Sequence, residues 1–71
     1  MTLGEKIKEL RTEKGMTQSD LAAATGLAKT SISNYERDRH TPGCAAMNAL
    51  AAELGVPFSE LFACFIRPVD S

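Results

Sequence analysis

Lys29, Thr30, Ser33, Asn34 and Arg37 stand 0, 1, 4, 5 and 8 residues from Lys29, which puts them on one side of a helix. As chemistry, the set matches the edges of nucleic-acid bases. An asparagine at Asn34 pairs in two-point fashion with adenine, a lysine at Lys29 donates to guanine N7 and O6, and Thr30 offers a methyl and a hydroxyl. Ser33 is short and lets a partner approach. The same five side chains also make an ordinary solvated helix face, and spacing alone does not choose between the two. Other reactive groups are sparse. His40 and Cys44 stand four apart and Cys64 lies far along the chain, with none of the paired spacing that holds zinc. A Cys–His nucleophile has no third orienting group. No metal and no cofactor are expected.

Turn residues cut the chain around this face into five helical pieces. Leu3, Ile7 and Leu10 form the stripe of a first helix, about Leu3 to Lys14, ended by Gly15. Thr17 followed by Asp20 reads as a capping box opening a second helix, which Thr25-Gly26 stops near Ala24. The third runs from about Lys29 to Arg37, with Ile32 and Tyr35 inward. His40 to Gly43 is a loop. A fourth helix from Cys44 to Leu54 carries Cys44, Met47, Leu50, Ala51 and Leu54 as its apolar stripe, with Cys44 expected as a small buried hydrophobe. Ser59 caps a short last helix from Glu60 to Ala63, with Phe58, Leu61 and Phe62 filling the core. Cys64-Phe65-Ile66 is the one β-like stretch, and residues 65–71 are expected to be irregular around Pro68.

The chain has 71 residues, 44% of them apolar, which bounds it to one small globular domain with a thin core. Eight basic residues against nine acidic ones give a net charge of −1, so it is no basic coating protein. Charge is nevertheless sorted. Residues 1–40 carry seven basic and six acidic groups, and residues 41–71 carry one and three. Two cysteines are too few for a disulfide scaffold, and no leader or membrane-length apolar run is present, so a cytoplasmic protein with free thiols is expected. One histidine, no phosphate-binding glycine loop and no paired catalytic carboxylates argue against an enzyme.

Two short helices joined by a glycine-containing turn are a helix-turn-helix pattern. In its register the sequence resembles the Xre family of helix-turn-helix regulators, similar to the lambda-type and 434-type repressor and Cro domains. Arg11, Thr17-Gln18, Leu21-Ala22, Gly26-Leu27, Ile32 to Arg37, Pro42, Ala51, Leu54-Gly55-Val56 and Glu60-Leu61-Phe62 carry the resemblance, which covers residues 3–62. It implies an all-α, compact five-helix lambda-repressor-like fold. Residues 1–63 would be the DNA-binding domain and 64–71 a C-terminal tail.

The resemblance also implies roles. The third helix enters the major groove with Lys29, Thr30, Ser33 and Asn34 on base edges. Thr17, Gln18, Arg37, Arg39, His40 and Thr41 flank it as phosphate contacts, with Gln18 also able to brace Lys29. Arg11 and Glu36 are implied as an ion pair joining helices one and three. Three positions depart from the family. Ala28 replaces the usual serine cap of helix three, at a cost of about 1 kcal/mol. Asp38 replaces a common glycine; aspartate tolerates the left-handed conformation but brings a negative charge near phosphates. Gly43 is a weaker cap for helix four.

The expected function is a sequence-specific transcriptional regulator, in the main a repressor, bound to an inverted-repeat operator as a homodimer. Phe65, Ile66 and Val69 are the dimer-contact candidates. No small-molecule ligand and no membrane partner are indicated. The alternative is an antitoxin-type DNA-binding protein that also holds a protein partner, for which only about nine residues beyond the core are available.

Overall fold

The computed structural model describes residues 2–65, with side chains through residue 61. Five helices follow one another: α1 (Leu3–Glu13), α2 (Gln18–Thr25), α3 (Lys29–Glu36), α4 (Cys44–Leu54) and α5 (Phe58–Phe65). No strand occurs among the described residues. Among the described residues, each helix contributes a fully buried side chain to a common core, namely Ile7, Leu21, Ile32, Leu50 and Leu61. Complete burial of a Leu or Ile contributes about 1.5–3 kcal/mol, which matters most for α2, α3 and α5. At eight residues each, those helices are too short to persist alone. Leu3, Ala22, Met47, Ala51 and Leu54 also belong to the core, with Leu27, Tyr35, Val56 and Phe58 packed at its margin.

The termini are set by local chemistry. Thr2 caps α1 in a reciprocal box: its hydroxyl accepts the Glu5 N–H at 3.1 Å and the Glu5 carboxylate accepts the Thr2 N–H at 2.9 Å. Thr17 and Asp20 repeat the arrangement on α2, at 3.0 and 2.9 Å. That helix ends at Gly26, whose φ of 75° is the left-handed conformation a glycine adopts without strain. Ala28 and Gly43 give α3 and α4 no side-chain cap.

Two sequence expectations need correction. Cys44 is exposed rather than buried. It is the first residue of α4, one turn ahead of Met47, where that helix first meets the core. The last helix begins at Phe58 rather than Glu60 and runs through Phe65 rather than ending at Ala63. The Pro57 carbonyl accepts the Glu60 N–H at 2.9 Å, so the first turn closes before Ser59 could cap it. No glycine or proline interrupts Ala63-Cys64-Phe65, and these residues continue the helix instead of forming a β-like stretch. The side chains of Phe62 and Phe65, and all of Ile66 and Val69, lie outside the described residues.

Candidate nucleic-acid interface

The α2–turn–α3 unit is held from beneath by a buried ion pair. Arg11 Nε donates to Glu36 Oε2 at 2.6 Å and Nη2 to Oε1 at 3.1 Å, the two-point fork that suits a carboxylate. The side chains are 10% and 3% exposed. Arg11 Nη1 donates to the Met16 carbonyl at 2.8 Å, which ties the α1–α2 turn to the same cation. Gln18 Nε2 donates to Glu36 Oε1 at 3.0 Å. One carboxylate therefore joins α1, α2 and α3. Removing either member of the pair would leave a buried charge uncompensated.

Above this anchor, α3 turns its polar side outward. Lys29 and Thr30 are exposed, and Ser33 and Asn34 are half-buried. Ile32 and Glu36, on the opposite side, are buried. The α2 N-terminus stands beside the Glu36 end of α3, where Gln18 reaches that carboxylate. Thr17 is exposed and engages the Asp20 N–H, which leaves the first backbone N–H groups of α2, those of Gln18 and Ser19, directed out of the helix end. Hydrogen bonds from the Thr17 backbone N–H, then its hydroxyl, hold the Asp20 carboxyl below the ordinary carboxylate range. Beyond the C-terminus of α3, Arg37, Arg39, His40 and Thr41 are all exposed, while Pro42 is buried.

A family model described as helix-turn-helix matches residues 7–61. The chain belongs to that family. It is 36% identical over 61 residues to the immunity repressor protein of Bacillus phage phi105, a match that covers 86% of this chain and 42% of the relative. It is 37% identical over 68 residues to the HTH-type transcriptional regulator y4dJ of Sinorhizobium fredii, covering 96% and 83%. The chain thus spans under half the length of the first of these relatives and most of the second. Among solved structures, SinR, described as the master regulator for biofilm formation and solved in complex with DNA, superposes with a TM-score of 0.81 at 35% identity, over 86% of this chain and 98% of that one. The restriction-modification controller protein C.AhdI from Aeromonas hydrophila gives 0.80 at 33% identity, over 84% and 91%.

Every residue expected to contact DNA between positions 17 and 41 is described and none is sealed in the core, whereas Glu36, expected as an ion-pair member, is buried. Two functional features escaped the sequence reading. The first is the grip of Glu36 on Gln18, two residues 18 positions apart. The second is Asp38, whose φ of 59° is left-handed as expected of its position, but whose carboxylate turns away to the α1 N-terminus. Its Oδ1 accepts the Gly4 N–H at 3.0 Å and its Oδ2 accepts the Thr2 hydroxyl at 2.7 Å. The Thr2-to-Glu5 spacing was the available signal for that helix end. No cluster of metal-ligating side chains occurs among the described residues, nor a helix long and apolar enough to cross a membrane.

Proposed function

We propose that the protein is a sequence-specific DNA-binding transcriptional regulator, mainly a repressor, acting in the cytoplasm. The observation that carries this is the outer side of α3. Lys29, Thr30, Ser33 and Asn34 stand together there, on a helix fixed to α1 and α2 by the buried Arg11–Glu36 pair. In this reading α3 lies in the major groove and these four side chains meet base edges. Thr17 and Gln18, with the free N–H groups of the α2 end, meet phosphate on one flank, and Arg37, Arg39, His40 and Thr41 meet it on the other. Relatives solved with DNA and named as repressors support the assignment.

One such domain spans one half-site, so the protein acts as a homodimer on an inverted repeat. Phe65, Ile66 and Val69 are the proposed dimer contacts. The experiment is selection of bound sites from a random duplex pool. Enrichment of an inverted repeat, with half-sites about 10 base pairs apart, is the expected result. A pool that stays at background would overturn the assignment.

A further inference from the structure

Glu36 accepts three donors where charge balance asks for one cation. Arg11 alone neutralises it through a two-point fork. The third donor, Gln18 Nε2, adds no charge, yet it brings in the first side chain of α2. A carboxylate only accepts, so the hydrogen bond also decides which way the Gln18 amide faces: nitrogen toward Glu36, oxygen away. A surface glutamine otherwise samples many rotamers and loses that freedom on binding. Here the amide is half-buried and already held.

We infer that Glu36 is a positioning residue for DNA binding, acting through Gln18. It holds the Gln18 amide beside the free N–H groups at the α2 N-terminus, so that the second Nε2 hydrogen meets a backbone phosphate without first being ordered. The Arg11–Glu36 pair then has two roles. It stabilises the fold, and it preorganises one phosphate contact on the α2 flank. This rests on the DNA-binding assignment above.

A double-mutant cycle on the selected operator tests the inference, using Gln18→Ala, Glu36→Gln and the double variant, each confirmed folded by circular dichroism at the assay temperature. Each single substitution is expected to weaken binding about fivefold to tenfold, evenly across operator variants. In the Gln18→Ala background, Glu36→Gln should then cost nothing further. Equal losses from Glu36→Gln in both backgrounds would mean that it acts only through the fold and would overturn the inference. A wild-type protein that binds no selected site would overturn the DNA assignment instead.

A second measurement needs no variant and no DNA. Gln18 is the single glutamine in the chain, beside two asparagines, Asn34 and Asn48, so three side-chain amides account for that region of a nitrogen–proton spectrum. Relaxation should report Gln18 Nε2 near the order of rigid backbone, about 0.85, and exposed Asn48 well below it. A Gln18 amide as mobile as that of Asn48 would sink the inference even if the Glu36 variants failed to fold.

Discussion

The Asp38 carboxylate closes the first helix from 34 positions away, its Oδ1 accepting the Gly4 N–H at 3.0 Å. The contact demands that α1 begin almost against the end of α3. A Cβ built on Gly4 would touch the Tyr35 carbonyl oxygen, and would lie 2.7 Å from that of Glu36 and 2.8 Å from Asp38 Oδ1. Two of those three neighbours are backbone and cannot swing aside. Gly4→Ala is therefore expected to destabilise the domain by about 1–3 kcal/mol through forced backbone shifts. In a chain of this size each kcal/mol lowers Tm by about 4–8 °C, so a thermal melt is sufficient, and an unchanged Tm would refute the close approach.

Asp38 itself separates two effects by substitution. Its φ of 59° favours glycine, while its carboxylate satisfies Gly4 and Thr2. Asp38→Gly keeps an easy backbone and loses the two hydrogen bonds. Asp38→Ala loses them and adds the left-handed penalty of about 1–2 kcal/mol. The expected order of stability in urea unfolding is Asp38, then glycine, then alanine. Alanine matching glycine would show that the backbone conformation carries no cost.

These two residues also mark where the sequence stops being legible. The α2–turn–α3 unit could be read because its signals are local: Thr17 and Asp20 stand three apart, Gly26 takes the turn, and Leu21 and Ile32 follow helical spacing. The outward face of α3 came with it. Asp38 could be read as a tolerated turn residue but not as the cap of α1, because its partners lie at the far end of the chain. Its carboxylate, expected only as a charge near phosphates, also caps a helix N-terminus. Cys44 misled for a related reason. Helical spacing aligned it with Met47 and Leu50, but periodicity does not say where along its axis a helix enters the core.

Ala28 offers a gain of stability. Its φ of −76° and ψ of 147° are the extended geometry of a capping position, and it makes no side-chain cap. Ala28→Ser should supply a hydroxyl acceptor for the first turn of α3 and raise stability by about 0.5–2 kcal/mol. Denaturant unfolding checks this, since the midpoint should rise with an unchanged slope.

The α2 capping box predicts a dependence on acid. The Thr17 backbone N–H and then its hydroxyl lower the Asp20 pKa in the folded protein. A depressed folded pKa contributes stability that is present above the unfolded value and is lost as pH falls through the folded one. Unfolding midpoints measured from neutral pH down through the carboxylate range should fall for the wild type. Asp20→Asn should fall less over the same window, and parallel curves would count against the role of this carboxylate.

Base reading and phosphate contact should separate cleanly in binding data. Asn34 stands half-buried on the outer side of α3, where, in the proposed reading, a two-point amide contact to adenine would discriminate among bases. Asn34→Ala should cost about 1–3 kcal/mol on the preferred operator and almost nothing on operators already changed at one base position, so that specificity relaxes there alone. Arg39 stands exposed beyond the end of α3, a site suited to phosphate, so Arg39→Ala should weaken every operator alike and flatten the salt dependence by about one counterion. Titrations of single-base operator variants at several salt concentrations distinguish the two patterns. A uniform loss from Asn34→Ala would remove it from base readout, and a base-selective loss from Arg39→Ala would move that residue into the groove.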